Sequence, residues 1–154
     1  MKKQTIQITV NGEKHTLDVE LNALLINVLR EELSLTGAKY ACGNGQCGAC
    51  TVLIDGESVL SCLTLAVSAD GADIVTIEGL AKPDGTLEPV QEAFLDNAAI
   101  QCGFCTPGMV IMGKELLDKK PTASEKEIRQ HIKGNLCRCT GYHSIVRAIK
   151  SCSK

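Results

Sequence analysis

Cysteine is the residue type in this chain with the most chemistry to offer: nine occur among 154 residues. Eight of them fall into two groups of four. Cys42, Cys47, Cys50 and Cys62 form the first group, and Cys102, Cys105, Cys137 and Cys139 the second. Cys152 stands apart near the C-terminal end and reads as a bystander on a terminal helix. In an oxidising compartment such an excess signals disulfides, whereas in a reducing one it signals metal ligation. Two fours and a remainder is the count of two four-thiolate centres.

The first group contains the stretch CGNGQCGAC (Cys42 to Cys50), which carries two overlapping patterns. Its glycines spell G-x-G-x-x-G, a dinucleotide fingerprint, and its cysteines spell C-x4-C-x2-C. The fingerprint needs a strand before it and a helix opening within it, so that a pyrophosphate meets the helix N-terminus. Here the order is inverted, because LTGAKYA reads as a helix exit and TVLIDG as a strand and turn. The cysteine spacing is that of a plant-type [2Fe–2S] site, completed by a more distant fourth cysteine. Cys62 follows Cys50 after an x11 gap, and the intervening Asp55-Gly56 hairpin returns it towards the loop. Gly43, Gly45 and Gly48 let backbone N–H groups approach cluster sulfur through dihedrals that glycine tolerates best. Zinc sites favour two compact cysteine pairs, so x4 followed by x2 suits zinc poorly.

The second group is less decisive by spacing. Cys102-x2-Cys105 with a distant Cys137-x-Cys139 is compatible with zinc as well as with iron and sulfur. Both pairs are expected at helix N-termini, whose N–H groups favour a net-negative cluster. CGFCTPG and CRCTGY echo each other, each placing a cysteine pair and a threonine just before a helix. His15, His131 and His143 lie away from both groups and read as surface or packing residues, which argues against a Rieske centre with its two His ligands.

The elements that must hold these loops change character along the chain. In the first half Ile6, Ile8 and Val10 alternate with polar residues, and Asn11-Gly12 supplies a type I′ turn. The return strand places Leu17, Val19 and Leu21 on one face. Asn22 is expected to cap a helix bearing Leu25, Val28, Leu29 and Leu33, with Gly37 near its end. TVLIDGESVL reads as a second hairpin and Ile74 to Ile77 as one further strand. After Gly79 the segment AKPDGTLEP reads as a linker. Beyond it come four helical stretches: one with Val90, Phe94 and Leu95 on one face, one opening near Pro107, one capped at Ser124 with Glu127, and one from His143 to Cys152. The expected division is a unit over 1–79 and a helical unit over 80–154.

Composition is 44% hydrophobic and 22% charged with a net charge of -2, ordinary for a globular protein. A nucleic-acid binder would show a basic stripe or stacking aromatics, and with two Phe, two Tyr and no Trp this chain shows neither. No apolar run approaches the ~18 residues of a membrane span. MKKQTIQITVNG has no apolar export segment and no twin arginine, so a cytoplasmic location is expected. No paired carboxylates or nucleophile–base pair suggest a substrate pocket.

The runs GAKYACGNGQCGACTVLIDGE, SCL, QCGFCTPGM and GNLCRCTGY, in this order and covering nearly the whole chain, resemble the small iron–sulfur subunit of molybdenum hydroxylases. These are the multi-subunit relatives of xanthine dehydrogenase, aldehyde oxidoreductase and carbon monoxide dehydrogenase. Ala41 stands where relatives often have glycine. The resemblance implies an α+β chain: an N-terminal β-grasp, plant-type ferredoxin-like domain with a [2Fe–2S] cluster on Cys42, Cys47, Cys50 and Cys62. A C-terminal four-helix domain would hold a second on Cys102, Cys105, Cys137 and Cys139. It implies that Gln101 and Cys139 contact the molybdopterin of a large partner subunit, while the first cluster faces a medium subunit carrying FAD. A heterotrimer, or a dimer of heterotrimers, follows. The chain would then relay single electrons from the molybdopterin centre to FAD. The rival class is a free two-cluster ferredoxin, disfavoured because a soluble carrier docks through a stronger charge field, and a structural zinc protein is the third.

Overall fold

The computed structural model describes residues 2–154, which form two hydrophobic cores side by side. The first core lies under a five-stranded mixed sheet: β1 (Lys3–Val10), β2 (Glu13–Glu20), β3 (Thr51–Ile54), β4 (Glu57–Leu60) and β5 (Asp73–Val75), in spatial order β2-β1-β5-β3-β4. β1 and β2 pair antiparallel from Lys3 opposite Glu20 to Val10 opposite Glu13. The turn between them uses Asn11 at φ 53° and Gly12 at φ 84°, the left-handed pair that a type I′ turn demands. Asp55 (φ 51°) and Gly56 (φ 83°) do the same between β3 and β4. β5 is parallel to β1 and antiparallel to β3, so it joins the two hairpins into one sheet. Alternation along β1 buries Ile6, Ile8 and Val10, as period-two patterning requires.

A short helix packs on this sheet, and here the expectation needs correction. Asn22 does not cap it. The N-cap is Leu24, α1 covers only Leu25–Asn27, and the chain continues as a π-helical turn over Val28–Glu32. Its start is set by long-range backbone bonds, Leu25 N–H to Thr64 O at 2.8 Å and Ala66 N–H to Ala23 O at 2.8 Å. The turn ends at Leu33, well before Gly37, with Ser34 at φ 57°. The strand expected over Ile74 to Ile77 stops at Val75, because Thr76 donates its N–H to Asn11 Oδ1 at 2.9 Å instead of to the sheet. Leu21 is exposed rather than sharing the inner face of Val19.

The second core is helical: α2 (Pro89–Asp96), α3 (Thr106–Lys119), α4 (Glu125–His131) and α5 (Tyr142–Ser151). Pro occupies the first turn of both α2 and α3, where its missing N–H costs nothing. The capping box at α4 is made as read: Ser124 Oγ accepts the Glu127 N–H, and the Glu127 carboxylate accepts the Ser124 N–H at 2.9 Å. Val90 and Phe94 face inward, but Leu95 points to solvent. Ile77 and Leu80 pack on this core although they directly follow the sheet. No helix among the described residues is long and apolar enough to cross a membrane.

Candidate metal centres

Arg30 braces the entry to the first cysteine loop. Its Nη1 donates to Thr36 O and to Ala38 O, both at 2.8 Å, so one guanidinium pins the backbone leading to Cys42. Gly43, Gly45 and Gly48 all have positive φ, at 66°, 79° and 69°, and the chain curls so that the N–H groups of Asn44, Gln46 and Cys47 point at the Cys42 thiol. Cys42 is exposed, and the Asn44 N–H, then the Cys47 N–H and thiol, pull its pKa down to about 6. Cys50 and Cys62 are buried and close to each other. Burial, with the Cys62 thiol adding to it, pushes the Cys50 thiol up to about 11. Ser61 fixes this second pair: it is fully buried, and its Oγ donates to Cys50 O at 2.7 Å.

The second set repeats the arrangement. Cys105 is the N-cap of α3, and Gly103 at φ 78° turns the chain between Cys102 and Cys105. Cys102 is exposed, and its thiol is held below the ordinary range by the Phe104 N–H first and the Cys139 thiol second. Cys105 lies against Cys137, and burial raises its thiol to about 12. The Cys137 N–H donates to the Tyr142 hydroxyl at 2.8 Å, and the Gly141 N–H reaches Cys137 Sγ at 3.4 Å. Gln101 Nε2 donates to Cys139 O at 3.4 Å on the exposed side of this loop.

Hydrogen bonds pair the thiols of Cys42 with Cys47, Cys50 with Cys62, Cys102 with Cys139, and Cys105 with Cys137, and the weaker charge contacts of Cys47 with Cys50 and Cys102 with Cys105 join the pairs into fours. A single zinc gathers four ligands about one point, whereas a [2Fe–2S] centre takes two thiolates on each of two irons. The donor pairs and the inward N–H groups fit the latter. Cys152 is half-buried beside Pro89 O and joins neither set.

The two loops touch directly. Leu136 donates its N–H to Cys47 O at 2.9 Å, and Asn135 Nδ2 donates to Gly48 O at 3.0 Å. Sequence reasoning missed Arg30, Ser61, Asn135 and Tyr142. Ser61 directly precedes Cys62, while Asn135 and Tyr142 flank Cys137 and Cys139; that closeness to a cysteine is the signal the chain offers for them. Arg30 has no such signal, since its carbonyl partners lie in a loop of unpredicted course. His131, read as a surface or packing residue, instead puts Nε2 2.9 Å from the carboxylate of buried Glu115.

Residues 8–74 match the family model described as the 2Fe-2S iron-sulfur cluster binding domain, and residues 76–150 match that described as the [2Fe-2S] binding domain. The chain is 46% identical to the nicotinate dehydrogenase small FeS subunit of Eubacterium barkeri, over 99% of both chains. The chain belongs to the small iron–sulfur subunits of the molybdenum hydroxylases. Its backbone superposes on a chain of quinoline 2-oxidoreductase from Pseudomonas putida 86 with a TM-score of 0.93 and 45% identity, covering 97% of this subunit and 92% of that chain. The aldehyde oxidoreductase of Desulfovibrio gigas gives a TM-score of 0.91 at 44% identity, but there this subunit spans only 17% of a much longer chain. A small iron–sulfur subunit of this family is the electron-transfer part of an oxidoreductase and carries two [2Fe–2S] clusters. The β-grasp and four-helix architecture is that of the family.

Proposed function

We propose that this subunit passes electrons singly from a molybdopterin centre, through a C-terminal cluster on Cys102, Cys105, Cys137 and Cys139, to an N-terminal cluster on Cys42, Cys47, Cys50 and Cys62, and on to FAD. The molybdopterin belongs to a large partner and the FAD to a medium partner, in a heterotrimer or dimer of heterotrimers in the cytoplasm. We assign the units as 1–79 and 80–154, the first built on the sheet core of residues 6–74 and the second on the helical core from Val90 onward. Gln101 and Cys139 face the pterin.

One observation carries the reading. Cys42 is exposed at one loop and Cys102 at the other, while the two loops adjoin each other through Cys47, Gly48, Asn135 and Leu136. Each centre therefore has its own open rim, and the two share an inner seam, as a relay between two different partners requires. The clusters supply one-electron chemistry. The chain supplies burial through Cys50, Cys62 and Cys137, and N–H donors from Asn44 and Phe104 that offset negative sulfur charge.

The test is metal analysis of the native protein, purified without oxygen. The expected result is about four irons and four sulfides per chain, with molybdenum and FAD on larger co-eluting chains. The same iron without molybdenum, flavin or partners would favour the free ferredoxin, and zinc replacing iron in either set would end that set's assignment.

A further inference from the structure

Asn135 is a buried polar residue outside both cysteine sets, only 4% exposed. It follows a 3-10 turn over Ile132–Gly134 and stands two residues before Cys137. Its Nδ2 reaches Gly48 O at 3.0 Å, across 87 positions of sequence. That carbonyl already accepts Thr51 Oγ1 at 2.7 Å and the Thr51 N–H at 3.2 Å. Asn135 therefore does not rescue an unpaired acceptor. What it adds is a tie between two loops that are each folded without it.

The space around the tie has been cleared by two glycines. A Cβ on Gly48 would lie 2.6 Å from Asn135 Cγ, and a Cβ on Gly108 would lie 2.4 Å from Gly48 O and 3.0 Å from Asn135 Nδ2. Gly108 is buried in the first turn of α3, just after Cys105. Three backbones thus converge, and each sits within three residues of a cysteine of one set. Side chains at either glycine would hold the loops apart.

We infer that Asn135 is a positioning residue that sets the separation of the two clusters, and with it the electronic coupling between them. This rests on the ligand assignment proposed above. One electron leaves the C-terminal cluster and enters the N-terminal one, with no bond made or broken, so the protein's control lies in distance and contact. The Leu136 N–H to Cys47 O bond spans the same seam but is a single backbone bond between two loops. The Asn135 carboxamide, wedged between two glycines, holds that bond in register.

The test uses the intact complex carrying Asn135→Ala, and Asn135→Ser as a smaller disturbance. In the fully reduced complex the spin–spin splitting between the two clusters is read by EPR, and inter-cluster transfer by rapid freezing after mixing with a sub-stoichiometric pulse of dithionite. The expected result is full iron content with a narrowed or lost splitting and slower transfer, the loss smaller in Asn135→Ser than in Asn135→Ala. Unchanged splitting and transfer in an iron-replete variant would overturn the inference. Loss of iron in both variants would also overturn it, showing a purely structural role. Absence of two cluster signals from the unsubstituted complex would instead strike the ligand assignment.

Discussion

Glu115 on α3 accepts the backbone N–H of Ser58 on β4 at 2.9 Å, so a buried carboxylate of the helical unit finishes the edge strand of the sheet. Lys119 sits between Glu115, at 3.0 Å, and Glu57, at 2.6 Å, and His131 approaches from α4 at 2.9 Å. An edge strand otherwise presents unpaired N–H groups. Glu115→Ala leaves the Ser58 N–H and His131 without their partner, while Lys119 keeps only Glu57, and is expected to destabilise the protein by about 1–3 kcal/mol, the cost of a buried hydrogen-bonding group left unmade. Glu115→Gln, which keeps the shape and an acceptor, costs less. Thermal melting of the loaded subunit checks the order.

Burial raises the Glu115 pKa, but the Ser58 N–H and Lys119 outweigh it and hold the carboxyl below its usual 4.5. A carboxyl lowered by folding contributes stability that is fully present above its unfolded value and disappears as pH falls through the folded one. The difference in stability between the natural subunit and Glu115→Gln is therefore expected to shrink as pH falls below 4.5. Melting curves of both proteins across that window measure it.

Gly48 and Gly56 have positive φ, at 69° and 83°, but only Gly48 is crowded. Alanine at either adds about 1–2 kcal/mol of backbone strain. Gly48→Ala also drives a methyl group into Asn135. Iron content is expected to fall towards about two per chain in Gly48→Ala and to stay near four in Gly56→Ala.

Arg30→Ala removes the Nη1 that serves two carbonyls at once. The loop before Cys42 loosens, and iron leaves the N-terminal centre faster under a chelator than in the unsubstituted subunit. Equal release rates would show that Arg30 plays no part in retention.

Cys62→Ser and Cys137→Ser are each expected to remove one centre, lowering iron from about four to about two per chain. Cys152→Ser is expected to leave iron unchanged, since its thiol donates to Pro89 O at 3.4 Å and touches neither cysteine set. Iron analysis with EPR of the remaining centre distinguishes the three.

What the sequence made legible were features encoded within a few residues. Asn11-Gly12 and Asp55-Gly56 announce their turns because left-handed φ values need those residue types, and Ser124 with Glu127 announces a cap by mutual side-chain reach. The C-x4-C-x2-C spacing points to the first centre because ligand geometry limits loop length, whereas the spacing of the second set suits zinc as well as iron and sulfur. What stayed hidden is encoded by distant partners. The start of α1 depends on Thr64 and Ala66 rather than on Asn22, and the end of β5 depends on Asn11. Asn135 and Glu115 look like ordinary polar residues until Gly48 and Ser58 are brought against them.

The place of β5 governs when the N-terminal centre can be built during synthesis. The β1–β2 and β3–β4 hairpins are each local in the chain, yet they join only through β5, the last strand to leave the ribosome. The loop bearing Cys42, Cys47 and Cys50 lies between the two hairpins, so it stays slack until Val75 has emerged and docked. Its backing by Asn135 and Leu136 arrives later still. Long-range pairing of this kind is slow, so the N-terminal cysteine loop gains its sheet framework only after synthesis has passed Val75, half-way along the chain.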